Sequence, residues 1–370
     1  MRYSQLNSRN GHAPDYVIPI CTFFLVIFGL IMLASASSDL GQAKFGYSYF
    51  YLKHQIIFGL SLGIAGIWFG SKFYYKHYQG VAPFLLLISI AMLLLVFTKL
   101  GVTSGGAARW LNLGPLTFQP SELLKITFIV YIAAWLSGKA YRQKSFWGGF
   151  VPFLIISGLV ALLLILQPST SVAAILIMTA LIIYFTSGAK FSYIISTIIL
   201  GILALLVISY LTPYRWERIK SFLDPSQNTQ TSSYQLNQSL IAIGSGGLWG
   251  VGFGKSTTKL RYLPQPIEDS IFAIIAEELG FIGSILLILT FVVLAVRIFL
   301  LSKKIPDDFG KLLLIGFGSL IAIQTFIHIG AISGILPLTG VPLPYISYGG
   351  TALAIFMTIS GIIINISKYT

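Results

Sequence analysis

Residues 271–297 read IFAIIAEELGFIGSILLILTFVVLAVR, a run in which Glu277 and Glu278 are the only charged residues before Arg297. An apolar run of roughly 18 residues or more is long enough to cross the hydrocarbon core of a bilayer as a helix. Nine further runs predict spans, at about residues 17–36, 50–70, 81–98, 121–137, 148–166, 171–188, 191–212, 311–334 and 346–367. The sequence therefore predicts an all-α membrane protein of about ten transmembrane helices, folded as one domain over residues 1–370.

Composition excludes a soluble protein. Charged residues make up 9% of the chain and hydrophobic residues 56%, whereas a soluble domain is roughly 25% charged. The net charge of +13 does not indicate a nucleic-acid partner, because the basic residues are spread over the loops instead of forming one patch. Cys21 is the single cysteine, so no disulfide can form within the chain.

The distribution of Lys and Arg predicts the orientation. With residues 1–16 as a cytoplasmic tail, most basic residues of the short loops fall on the cytoplasmic side, as the positive-inside rule requires. Both termini are then cytoplasmic, and the long segments 99–120 and 213–270 are extracytoplasmic loops. We expect function in these two loops at the outer face of a bacterial cytoplasmic membrane.

Acidic residues are scarce but clustered. The chain has 11 of them, and Glu268, Asp269, Glu277 and Glu278 fall within one short segment. In a helix that begins near residue 271, Glu277 lies roughly 12 Å below Asp269. Ionisable groups at such a depth face either a buried cation or a watery cavity, and the sequence leaves both alternatives open for Glu277 and Glu278.

Basic residues on the two outer loops suit an anionic group at the membrane surface, such as a lipid diphosphate, or the headgroups of anionic lipids. These residues are Arg109, Arg215, Arg218, Lys220, Lys255, Lys259 and Arg261. Glu122 and Lys125 are three residues apart at the start of a predicted helix, so they share a face and can form an ion pair. His328 stands alone in an apolar run, which favours a packed polar contact over a metal ligand.

Four motifs, in order, resemble the SEDS family of peptidoglycan glycosyltransferases, which includes FtsW, RodA and SpoVE. They are FQPSELLK at 118–125, IAIGSGGL at 241–248, DSIFAIIAEELG at 269–280 and GILPLTGVPLPYISYGG at 334–350. The resemblance extends from the first span to the last. Residues 49–55, 133–136 and 234–239 are more similar to the division member FtsW than to RodA.

The resemblance implies a role for several residues. The essential aspartate of the family corresponds to Asp269, and its supporting charged residues correspond to Arg109, Glu122 and Lys125. Among the other outer polar residues, we predict substrate contacts for Glu268, Lys255, Lys259, Arg261 and Ser347. A divalent metal such as Mg²⁺ or Mn²⁺, if one takes part, has Asp269 and Glu268 as its expected ligands.

Two positions depart from the family pattern. The usual Gln-Pro-Asp-x-Gly-Thr is replaced at residues 167–172 by QPSTSV, which removes a carboxylate. The usual His-Thr before the aspartate is replaced by Ile267 and Glu268. Glu268 is therefore a second carboxylate that can assist Asp269 or compete with it.

The implied reaction joins lipid II to a nascent glycan, with Asp269 as the general base and a class B penicillin-binding protein, a transpeptidase, as the partner. Two alternatives remain at this stage. A lipid II flippase or other transporter has the same size and hydrophobicity, and Glu277, Glu278 and His328 are the polar residues that favour it. A non-catalytic scaffold for the transpeptidase is the other alternative, to which the altered segment 167–172 points.

Overall fold

The computed structural model describes residues 12–104, 107–112, 114, 117–138, 140–223, 232–259 and 263–370. Over this part of the chain it is an almost entirely helical bundle. Its helices are α1 Val17–Phe45, α2 Phe50–Lys72, α3 Lys76–Leu95, α4 Pro120–Gly138, α5 Phe146–Leu166, α6 Thr170–Thr186, α7 Phe191–Leu211, α8 Pro213–Leu223, α9 Ser232–Ser245, α10 Ile271–Ser302, α11 Asp308–Ile332 and α12 Gly350–Ser367.

Ten of these helices correspond to the ten predicted spans. Within the described residues, nine are long and apolar enough to cross a membrane, and α6 is an apolar helix of 17 residues, at the lower limit for a span. The last span begins at Gly350 instead of residue 346, because Pro342 and Pro344 precede it and Gly349 has a φ of 157°. The predicted fold class is confirmed.

Helix α12 lies in the centre of the bundle and α7 at its periphery. In the most apolar window of each helix, 83% of the α12 residues are buried but only 11% of the α7 residues. Helices α2 and α12 pack closely together because glycines line their interface. A Cβ atom added to Gly361 would lie 2.6 Å from the Ile67 carbonyl oxygen. Small residues allow such backbone approach between membrane helices.

Helix α10 is interrupted at Gly280, where φ is 66° and ψ is −165°. The glycine-rich segment 246–252 fills the interruption: Gly247 and Leu248 carbonyls accept hydrogen bonds from the N–H groups of Phe281 (2.9 Å) and Ile282 (3.2 Å). A break in a membrane helix is tolerated only when other protein groups satisfy its backbone. This pairing therefore fixes the segment that follows α9 against the first turns of α10.

Segment 96–119 carries a small antiparallel sheet of three strands in the order β1-β2-β3. The strands are β1 Gly101–Ser104, β2 Ala107–Asn112 and β3 Thr117–Phe118. Val102 is opposite Trp110, and Leu111 is opposite Phe118. The sheet holds Arg109 at the end of the bundle where α3 ends and α4 begins, which we call the site end.

Candidate active site

Asp269 lies at the site end, two residues before α10 begins. Its side chain is half-buried and borders a small cavity with an open mouth. Residues from α8, α9, α11 and the segment between α11 and α12 complete the wall. The lining residues are Arg218, Gln235, Asp269, His328, Ala331, Ile332, Leu338, Thr339, Gly340 and Val341.

The surroundings of Asp269 bring its pKa close to neutrality. Burial raises the pKa of the carboxyl to about 6, while the positive charges of Arg218 and Arg109 partly oppose that rise. The carboxylate lies against Gly340, since a Cβ atom added there would be 3.3 Å from Oδ2. A carboxylate with this pKa is mostly ionised at neutral pH and is basic enough to accept a proton.

Backbone carbonyls hold both arginines in place. Arg218, on α8, donates from Nη1 to the Leu338 carbonyl at 3.1 Å. Arg109 donates from Nε to the Gln167 carbonyl at 3.2 Å and from Nη2 to that of Pro168 at 2.5 Å. The altered segment 167–172 thus contacts Arg109 through its main chain, which requires no carboxylate at residue 169.

The segment 333–349, which we call the proline loop, forms one wall of the cavity through its backbone. In addition to the bond from Arg218, the hydroxyl of Ser171 donates to the Thr339 carbonyl at 2.7 Å. On α11, His328 donates to the Val341 carbonyl at 2.7 Å and Gln324 donates to the Pro342 carbonyl at 2.8 Å. Side chains of three helices therefore determine where the loop lies relative to Asp269.

Ser347 connects the proline loop to the backbone beside Asp269. Its hydroxyl donates to the Glu268 carbonyl at 2.7 Å and accepts from the Leu343 N–H at 2.8 Å. The Tyr348 N–H donates to the Ile267 carbonyl at 2.9 Å. Since Ser347 is buried and both of these bonds are internal, it supports the backbone beside Asp269, and its predicted contact with substrate has no basis in this geometry.

Glu268 is not among the residues that line the cavity. Its carboxylate interacts electrostatically with Lys44 and Tyr348 and is exposed. Nearby protein atoms nevertheless limit its hydration, and together with the charge of Asp269 they raise the pKa of Glu268 to about 7. The carboxylate therefore lies in a concave but accessible part of the surface.

Glu122 and Lys125 form the predicted ion pair, but inside the bundle. Their side chains are 1% and 0% exposed, and Nζ lies 2.7 Å from Oε1. Lys125 also donates to Oε1 of Gln324 at 3.0 Å, and Gln324 in turn bonds the Pro342 carbonyl. The pair thus supports the proline loop from below and does not border the cavity as the structure describes it.

The three basic residues predicted to bind substrate on segment 246–270 have different environments. Lys259 is buried, with Nζ 3.0 Å from Glu278 Oε1 and 3.0 Å from the Ser35 hydroxyl. This ion pair takes it away from any substrate-facing surface, which is a correction to the prediction. Lys255 is exposed, and Arg261 lies outside the described residues.

Glu277 and Glu278 are both buried against polar partners, and for Glu278 the partner is a cation, the first of the two alternatives open at the sequence level. Glu278 pairs with Lys259, and Glu277 accepts from the hydroxyl of Ser256 at 2.5 Å, from the Thr257 N–H at 3.1 Å and from the hydroxyl of Thr258. Their bonds fix segment 254–259 on α10. Neither residue lines the cavity, whereas His328, the third polar residue that favoured a transporter, does.

Within the described residues, no three His, Cys, Asp or Glu side chains lie close enough together to hold a metal ion. Of the two carboxylates expected to bind a metal, Asp269 lines the cavity, and Glu268 interacts electrostatically with Asp269, Lys44 and Tyr348. A divalent metal on these two residues stays a prediction.

Sequence reasoning underestimated three residues of the cavity wall. Arg218 is only one of several basic residues in the sequence, the apolar surroundings of His328 predict a packing contact, and Gln235 is marked only as part of residues 234–239, which resemble FtsW. Gln235 donates to the Ser270 hydroxyl at 3.0 Å, beside Asp269. The nearest signal for Arg218 was its place on the amphipathic helix α8, whose sequence is PYRWERIKSFL.

Comparisons with known proteins identify the family of this chain. The model of the family of cell cycle proteins FtsW, RodA and SpoVE matches residues 15–370. Stage V sporulation protein E of Bacillus subtilis (strain 168) is 36% identical, over 97% of this chain and 98% of its own length. A probable peptidoglycan glycosyltransferase FtsW of Coxiella burnetii is 37% identical, over 96% of both chains.

Two solved structures share the fold. A chain of a peptidoglycan synthase complex that coordinates polymerization and crosslinking has a TM-score of 0.79 and 26% identity, over 97% of this chain and 99% of that one. The rod shape determining protein RodA of Thermus thermophilus has a TM-score of 0.71 and 25% identity, over 96% and 97%. With the family model covering almost the whole sequence, this chain belongs to the FtsW, RodA and SpoVE family.

Proposed function

We propose that this chain is a peptidoglycan glycosyltransferase that polymerises lipid II into glycan strands. The observation that carries the proposal is a half-buried carboxylate, Asp269, with a pKa of about 6, which borders a cavity together with Arg218. Relatives named peptidoglycan glycosyltransferase support the reaction class.

Asp269 serves as the general base in the proposed reaction. The 4-hydroxyl of a GlcNAc residue attacks the anomeric carbon at the lipid-diphosphate end of the growing chain. A new C–O bond forms, the bond from that carbon to the diphosphate breaks, and the proton of the hydroxyl passes to Asp269. An alcohol is a weak nucleophile at neutral pH, so a positioned base accelerates this step by roughly 10² to 10⁴-fold.

Arg218 and Arg109 offset the charge that develops on the leaving diphosphate. A guanidinium is positively charged and has five N–H donors in a planar fork, which matches the oxygens of a diphosphate. Fixed cations of this kind stabilise a transition state because they need no reorganisation as the charge appears. Glu122, Lys125 and Ser347 act on the reaction indirectly, through the position of the proline loop.

A divalent cation on the substrate diphosphate would take its protein ligands from Asp269 and Glu268, since Mg²⁺ often binds through one or two carboxylates plus phosphates and water. No step of the proposed reaction requires it.

The chain is a multi-pass protein of the inner membrane. We place the site end at the outer face, because the opposite end carries Lys72, Lys76, Arg297, Lys303 and Lys304, as expected of cytoplasmic loops. Lipid II on the outer leaflet then presents its sugars to the cavity, while its polyprenyl chain remains in lipid. We propose a class B penicillin-binding protein as partner, on the analogy of the synthase complex that shares this fold.

The test is polymerisation of lipid II by the full chain in vesicles, with and without the partner, and with substrate supplied only on the face of the site end. We expect glycan from the wild type and at least a hundredfold less from Asp269→Asn, which keeps the shape and removes the base. Asp39→Asn is the matched control, because Asp39 is an exposed carboxylate at the same end of the bundle. Full polymer yield from Asp269→Asn, or no polymer from the wild type, would refute the proposal.

A further inference from the structure

His328 is a polar residue of the cavity wall that the proposed reaction does not use. It lies on α11, one helical turn beyond Gln324, and its side chain is 1% exposed. It borders the same cavity as Asp269. Its place in an apolar helix therefore leaves its two ring nitrogens dependent on partners within the protein.

One nitrogen has a partner that fixes the tautomer. Nδ1 lies 2.7 Å from the Val341 carbonyl oxygen, which can only accept, so Nδ1 carries a proton. An uncompensated positive charge is costly at a buried site. The ring is therefore neutral, and Nε2 carries a lone pair without a hydrogen.

The other nitrogen has no partner in the described part of the chain. Nε2 is buried and makes no hydrogen bond there. Buried acceptors are rarely left unsatisfied in proteins, so such an atom in the wall of a cavity indicates a contact made only when a ligand is bound. The ligand group must be a hydrogen-bond donor, since a lone pair repels phosphate oxygens.

The cavity wall thus has two chemically different sides. Arg218 presents donors, which suit a diphosphate, whereas Asp269 and His328 present acceptors, which suit hydroxyl groups.

We propose that Nε2 of His328 accepts a hydrogen bond from the 3- or 6-hydroxyl of the acceptor GlcNAc, the two hydroxyls that flank the attacking 4-hydroxyl. This inference rests on the proposed function and makes His328 a residue that orients the acceptor sugar while Asp269 takes the proton. Nε2 is buried in this conformation, so the proposed contact requires the residues around it to move before the sugar reaches it.

The experiment combines variants of the full chain with altered substrates. His328→Asn keeps an amide N–H close to the position of Nδ1, and so keeps the bond to Val341, but it removes Nε2. The substrates are lipid II, its 3-deoxy-GlcNAc analogue and its 6-deoxy-GlcNAc analogue. His77→Asn is the matched control, because Nδ1 of His77 also contacts a backbone carbonyl, that of Tyr74 at 3.2 Å, on an exposed part of the chain.

We expect the wild type and His77→Asn to use one of the two deoxy analogues about five to ten times less efficiently than lipid II, the usual effect of one lost hydrogen bond. His328→Asn should polymerise lipid II about five to ten times more slowly and show no further loss with that analogue. Because the wild type alone must discriminate against one analogue, the test holds even if His328→Asn folds poorly.

Two results would overturn the inference: a wild type that uses both analogues as well as lipid II, or a His328→Asn variant that discriminates as the wild type does. Neither result affects the proposed function if Asp269→Asn remains inactive. A wild type that makes no glycan from lipid II would instead refute the proposed function and this inference with it.

Discussion

Replacing Arg218 by Gln should shift the pH dependence of polymerisation toward higher pH. The positive charge of Arg218 is the largest influence that lowers the pKa of Asp269, which burial raises to about 6. An opposite charge within about 4–6 Å lowers the pKa of a carboxyl by roughly 1–3 units. Because Arg218 is half-buried and partly screened by water, we expect its loss to raise the pKa of Asp269 by about one unit, to about 7.

The sign and size of the effect on rate follow from the role of Asp269 as a base, which acts only when ionised. At pH 6 about half of the wild-type carboxyl is ionised but only about a tenth of the variant, so loss of ionisation alone lowers the rate about fivefold. At pH 8 both carboxyls are largely ionised, and the remaining deficit reports the direct effect of Arg218 on the diphosphate.

The assay is the initial rate of lipid II polymerisation from pH 5 to pH 9 by the full chain. Lys220→Gln is the matched control, because it removes the same charge from an exposed position of α8. Its acid midpoint should remain near that of the wild type. An Arg218→Gln midpoint that stays unchanged or moves to lower pH would refute the assignment of Asp269 as the base whose charge Arg218 stabilises.

Three predictions concern stability, measured by thermal unfolding in detergent. Asp269→Asn should stabilise the fold at pH 7.5, because the ionised carboxylate destabilises the native state. A pKa raised from 3.8 to about 6 corresponds to a destabilisation of at most about 3 kcal/mol, which solvent screening reduces to roughly 1–2 kcal/mol. A variant less stable than the wild type would contradict this prediction. Lys125→Gln leaves a buried carboxylate unpaired and should lower the free energy of unfolding by about 3–5 kcal/mol. Lys76→Gln, which breaks an exposed ion pair, is the control and should lower it by less than about 1 kcal/mol. Equal losses of stability in the two variants would refute this account. Gly280→Ala places a Cβ atom 2.3 Å from the Gly250 nitrogen at a φ of +66°, so it should lower the free energy of unfolding by about 3 kcal/mol or more. Gly201→Ala, in open space on α7, is the control and should be neutral or slightly stabilising. Tolerance of Ala at Gly280 would show that the interruption of α10 is dispensable.

The buried charged residues show which contacts of this site could be predicted from the sequence and which could not. The spacing of Glu122 and Lys125 correctly predicted an ion pair, because both residues belong to one helix and their separation is set by its geometry. The same reasoning had no means to separate Lys255 from Lys259, which are four residues apart in a loop. Only the fold shows that Lys259 meets Glu278 and Ser35, residues distant in sequence, and that Lys255 is exposed.

The sequence by itself determined the ten apolar helices and predicted Asp269 as the catalytic residue. Crossing a bilayer depends on the length and composition of each run alone, and the motifs of the family mark the aspartate directly. The tertiary structure alone decided which polar groups face the cavity, because each buried donor or acceptor must be satisfied by partners far away in the chain. For that reason Ser347 and Lys125 proved to be supports of the proline loop, while Arg218 and His328 proved to be part of the cavity wall.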